Sequence, residues 1–176
     1  SAVVVYDDQR RLFTKIGEKG PIPFPSVIAV DNLTQEVSAG QGVKDQIITL
    51  RESGMHLVIE SVKTILDSDQ SWTTPAKTWH ASDIASELFR ALAQRAEEDK
   101  HPPLHEAVVA IPIGMNADKR ATLRNAAHSA GVRVLSFISE PTAAFIAHSG
   151  QLRHCRFAVV FDWGGGTLDI SVLEVR

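Results

Sequence analysis

One cysteine, Cys155, in 176 residues leaves no partner for an intrachain disulfide and fits a reducing compartment. No apolar run approaches the ~20 residues of a membrane span. The opening Ala2–Val5 run is far shorter than the apolar stretch of a signal peptide and has no basic flank, so a cytoplasmic protein is expected. Charge of one sign is scarce as well. A formal net charge of −3 gives no electrostatic case for nucleic acid or an anionic membrane surface. No serine sits in a G-x-S-x-G elbow and no G-x-x-x-x-G-K-S/T loop occurs, so those hydrolase and nucleotide-loop readings fail. Internal repeats and low-complexity tracts are absent. What remains, at 44% apolar and 22% charged residues, is a globular chain of one ordinary domain or two small ones.

The most informative stretch is FAVVFDWGGGTLDISVLEV, Phe157 to Val175. Its two apolar runs, Phe157–Phe161 and Leu168–Val175, are too short and too β-branched for helices. The glycine cluster between them predicts a strand–turn–strand hairpin. Three successive glycines reach positive φ and clear every Cβ from one side of the turn, so backbone N–H groups can converge on one anion. Asp162, at the end of the first strand, can hold a divalent cation directly or through water. Thr167 adds a hydroxyl at the rim, and Asp169 supplies a second carboxylate. The turn is therefore either a tight hairpin or a phosphate nest, and its flanking Asp and Thr residues favour the second.

Elsewhere the chain alternates strand and helix patterns. Ala2–Tyr6 and Arg11–Ile16 read as strands joined through Asp7-Asp8-Gln9, and Gly17–Pro25 reads as a loop rich in glycine and proline. Val27–Val30 is a further strand. From Gly42 to Leu66 the pattern reads as helical with a break near Ser53-Gly54, because Val58, Val62, Ile65 and Leu66 share one face. Asp67–His80 reads as a polar loop. Ser82 is placed as the N-cap of an amphipathic helix whose stripe is Ile84, Leu88, Ala91 and Leu92, ending before His101-Pro102-Pro103. Ala107–Ile111 is a continuous apolar strand ended by Pro112. A helix from Ala117 to Ala130 follows, with Asn116 at its start and Gly131 at its end. Val132–Ile138 is a strand, Glu140-Pro141 opens a short helix to His148, and the hairpin comes last. Such an order predicts a parallel α/β core, with antiparallel strands supplied by the first quarter of the chain.

Few polar residues stand out. Lys63 is either a solvated lysine near a helix end or a residue aimed at a ligand. Glu140 follows a strand at the edge where open α/β sheets place ligands, and it is equally a first-turn carboxylate favoured by the helix dipole. The histidines lack ligand spacing. His101 and His105 are separated by two prolines, so a histidine metal site is not expected. Cys155 beside His154 reads as packing rather than as a nucleophile. Trp72, Trp79 and Trp163 are too scattered in sequence for a stacking platform.

FDWGGGTLDISVL closely resembles the second phosphate loop of the Hsp70 chaperone ATPase domain, within the actin–hexokinase–Hsp70 superfamily. ISEPTAAFIAHSG resembles the helix that precedes that loop, and AVVAIPIGMNADKRATLRNAAHSAGVRVLSFISEP resembles the strand–helix–strand upstream of it. ESVKTIL resembles the helix carrying the family's catalytic lysine, and SAVVVYDD and PFPSVIAV resemble its second strand and an edge strand. The resemblance implies a ribonuclease-H-like (actin-like ATPase) lobe with a mixed sheet and helices on both faces. Residues 1–150 would form the first lobe, with a reduced sub-lobe around 31–80. Residues 151–176 would be the hairpin that begins the second lobe. It implies ATP/ADP and Mg²⁺ as cofactors. Gly164, Gly165, Gly166 and Thr167 would touch phosphates, and Asp162 would hold water on Mg²⁺. Lys63 would orient or activate the attacking water, Glu140 would act near the metal and γ-phosphate, and Asp169 would support the water network. Pro112 and Arg120 match positions that relay nucleotide state to a substrate domain. The partners so implied are nucleotide, unfolded peptides, a J-domain co-chaperone and a nucleotide-exchange factor.

Set against the family pattern, the opening strand and first phosphate loop are expected to lie before Ser1. The segment between Lys63 and Ser82 is short. The isolated chain is accordingly expected to bind nucleotide weakly at best and not to hydrolyse it. A further expectation is that the Phe157–Val175 hairpin fills the place of the first strand, in its own chain or in a strand-swapped homo-oligomer. Two other functions share the pattern: a non-hydrolysing interaction module and a small-molecule kinase of the same superfamily. The Glu-Pro-Thr-Ala-Ala run and its spacing to the glycine turn favour the chaperone parent over the kinase.

Overall fold

A computed structural model describes residues 3–7, 12–16, 24–61, 66, 70–152, 154–163 and 168–175. It is a mixed α/β chain whose strands, among the described residues, pair into several small sheets. Two compact units are distinguished: residues 1–106 with 117–133, and residues 107–116 with 134–176.

In the first unit, β1 (Val3–Asp7) and β2 (Leu12–Ile16) form the expected antiparallel pair. A three-stranded antiparallel sheet follows. Its central strand is β3 (Val27–Asp31), flanked by β4 (Val37–Ala39) and β5 (His56–Glu60). Val27, Ile28, Ala29 and Val30 are all buried, as a central strand covered on both faces requires. Val27 and Ala29 pack with Val43, Ile47, Leu50 and Val58, beneath α1 (Gln41–Asp45) and α2 (Ile47–Glu52). By the period of two, Ile28 and Val30 face the other way. There α3 (Ala81–Glu98) lies against β3 and β4 and buries Ile84 and Leu92. Each such buried aliphatic side chain contributes roughly 1.5–3 kcal/mol of transfer free energy.

Three sequence expectations in this unit are corrected. The helical reading of Gly42–Leu66 holds through α2 and its break, but residues 56–60 are strand β5, in register with β3 through Ile28↔Ile59 and Ala29↔Val58. The stripe that suggested a helix there combined Val58 with residues beyond the strand. The polar segment Asp67–His80 contains a hairpin, β6 (Ser71–Thr73) and β7 (Thr78–His80), with Trp72 directly opposite Trp79. Two tryptophans judged scattered are thus neighbours, and Trp79 is buried. Finally, the N-cap of α3 is His80 rather than Ser82. The Asp83 carboxylate accepts the His80 backbone N–H at 2.9 Å, which fixes the start two residues earlier.

At its other end, α3 closes with Lys100 in the left-handed region (φ 61) and the His101 N–H donating to the Ala96 carbonyl at 2.9 Å. The prolines beyond prevent continuation. The helix α4 (Ala117–Ser129) ends the same way on Gly131 (φ 80), where the Val132 N–H donates to the Ala127 carbonyl at 2.9 Å. α4 packs on α3 within this unit.

The second unit carries most of β8 (Glu106–Ile111) and β9 (Arg133–Ser139), which pair with each other. The Arg133 N–H donates to the His105 carbonyl at 2.8 Å, so the two strands begin side by side and run parallel. Although β8 is an apolar run, its burial alternates, with Val108 and Ala110 exposed and Ile111 buried. Next come α5 (Glu140–His148) and the hairpin strands β10 (Phe157–Trp163) and β11 (Leu168–Glu174). Among the described residues β10 and β11 pair only with each other.

Candidate functional site

The site is built on the end of the β10–β11 hairpin. Register is continuous from Phe157↔Glu174 to Trp163↔Leu168, which leaves residues 164–167 as the connection. Gly164, Gly165, Gly166 and Thr167 lie outside the described residues. One step below them, Asp162 pairs with Asp169. Directly opposed residues carry Cβ atoms about 4.5–5.5 Å apart, and like charges so placed destabilise a sheet. Both carboxylates are exposed and alternate onto the face that includes Ala158 and Val160. Ala158 is buried on that face, and α5 packs against β10.

Glu140 enters the same unit as the first residue of α5, immediately after β9. The Ser139 hydroxyl caps this helix, accepting the Thr142 N–H at 3.2 Å and pairing with the Thr142 hydroxyl at 2.5 Å. Glu140 is consequently not needed as the cap. It stands half-buried in the first turn, where the helix dipole favours a negative charge. Ser139 was not singled out from the sequence, although a serine three residues before Thr142 and two before a proline is a legible capping signal.

The other expected site residues fall elsewhere. Lys63 lies outside the described residues, beyond the end of β5. Pro112 ends β8 half-buried, and its carbonyl accepts the Met115 N–H at 3.1 Å. Arg120 is exposed in the first turn of α4. The register thus brings Asp162 and Asp169 together, and the topology sets Glu140 at the start of the helix that packs on their strand.

The donor chemistry suits Mg²⁺. That ion binds through one or two carboxylates, retains several waters and takes its remaining ligands from substrate phosphates rather than from a protein cage. Among the described residues no group of three His, Cys, Asp or Glu side chains is gathered for a metal. A separate cavity of about 430 Å³ lies between α3 and α4, lined by polar groups including Lys77, Asp83, Glu87, Arg90 and Asn125. It contains none of the expected site residues. Arg90 spans it, donating to Glu87 and, at 3.0 Å, to the Ser129 carbonyl.

Residues 23–176 match the family model described as Hsp70 protein. The chain belongs to the Hsp70 family. The match lies in the N-terminal region of that family and places the chain in the actin–hexokinase–Hsp70 superfamily. The mixed α/β architecture agrees with the actin-like fold of Hsp70 proteins. Members of the Hsp70 family bind ATP or ADP, typically with Mg²⁺, and a chaperone-like nucleotide-binding fragment is the function this membership supports.

Proposed function

We propose that this chain is the nucleotide-binding fragment of an Hsp70-like molecular chaperone. In the full protein it would bind ATP or ADP with Mg²⁺ and use hydrolysis to drive peptide binding and release. The observation that carries the reading is the register that sets Asp162 opposite Asp169 at the base of a Gly-Gly-Gly-Thr connection. A like-charge pair beside an anion-binding turn is costly without a cation and useful with one.

In this reading the bound nucleotide and Mg²⁺ supply the transferable phosphoryl group and the positive charge that neutralises it. Gly164, Gly165, Gly166 and Thr167 would touch the phosphates, the glycines through backbone N–H groups. Asp162 would hold water on the Mg²⁺, and Asp169 would support the water network beside it. Lys63 would orient or activate the attacking water, and Glu140, at the start of α5, would act near the metal and the γ-phosphate. Phosphoryl transfer asks mainly for positioning and electrostatics, which such groups provide. Pro112 and Arg120 would pass the nucleotide state to a peptide-binding domain, with a J-domain co-chaperone and an exchange factor as further partners. Residues 1–150 are read as a ribonuclease-H-like first lobe with a reduced sub-lobe around 31–80, and residues 151–176 as the hairpin that begins the second. The exposed thiol of Cys155 suits a reducing, cytoplasmic setting.

Calorimetric titration with ATP, with and without Mg²⁺, tests the site. The expected result is Mg²⁺-dependent binding that Asp162→Asn weakens about tenfold, equivalent to ~1.4 kcal/mol. Affinity that ignores both Mg²⁺ and the substitution would remove Asp162 from the site.

A further inference from the structure

We draw no further inference here: the strongest candidate, the polar cavity between α3 and α4, carries nothing, because its charged side chains are already engaged within the fold, with Asp83 on the His80 N–H, Glu87 on Arg90 and Lys77 over the Trp79 ring, and nothing in the structure shows what would occupy it.

Discussion

Replacing Asp169 by Asn should stabilise the nucleotide-free chain while weakening the nucleotide complex. Asp162 and Asp169 are in direct cross-strand register and both are exposed. Two unit charges ~6 Å apart in water repel by about 0.7 kcal/mol, and cross-strand pairs of this kind are worth roughly 0.2–1 kcal/mol. Allowing for screening by salt, removal of one charge should gain about 0.5 kcal/mol, a rise of ~1–2 °C in the unfolding midpoint for a chain of this size. The gain should fall as ionic strength rises. A double-mutant cycle sharpens the test: Asp162→Asn and Asp169→Asn should each give the same gain, and the double variant no more than either, because either substitution alone ends the repulsion. With Mg²⁺ and ADP present the sign should reverse, since both carboxylates then serve the bound cation and its water. Urea denaturation at low salt, with and without ligand, measures all of these quantities. Gains that add in the double variant, or a loss of stability on replacing either residue in the free chain, would refute the reasoning.

Gln35 holds the first unit together from an unfavourable backbone position (φ 61). Its amide donates to the Asn32 carbonyl at 2.9 Å, and its carbonyl accepts from the buried Thr74 hydroxyl at 3.0 Å and the Trp79 indole at 3.4 Å. Gln35→Ala should cost about 1 kcal/mol in chemical denaturation, because the buried Trp79 indole loses its acceptor while the Thr74 hydroxyl keeps the Lys77 carbonyl at 2.9 Å. An unchanged midpoint would show that the β3–β4 turn and the β6–β7 hairpin are not coupled through this side chain. Asp31 accepts the Thr34 and Leu33 backbone N–H groups, each at 2.8 Å, and faces His56 at 3.7 Å. The bonds from Thr34 and then Leu33 are the main reason its carboxyl is held below the usual value of 3.8, with His56 adding a smaller effect. Because the folded value is the lower one, the contribution is fully present above pH 3.8 and is lost as pH falls through the folded value. Asp31→Asn should therefore lower stability near neutrality, change little once pH has fallen below the folded value, and so flatten the acid limb of the stability profile. An acid limb as steep as in the unsubstituted chain would contradict this.

The sequence by itself determined the features whose physics is local. The short, β-branched apolar runs Phe157–Phe161 and Leu168–Val175 with three glycines between them specified the hairpin, and the observed register closes on the expected connection. The stops of α3 and α4 were equally legible, since Pro102-Pro103 forbids continuation and Gly131 accepts the left-handed turn without strain. Tertiary structure decided the elements that exist only through distant partners. The segment His56–Glu60 carries valine and isoleucine at spacings that fit a helix or a strand, and its pairing with β3, some thirty residues away, makes it a strand. The hairpin at Ser71–His80 is polar in sequence because one side of it faces water, and burial of Trp79 with its bond to Gln35 secures it. The candidate site divides the same way. The residue types beside the glycine turn were visible in the sequence. That Asp162 meets Asp169 across the ladder, and that Ser139 rather than Glu140 caps α5, depended on register and on a hydroxyl's position, which a one-dimensional pattern does not carry.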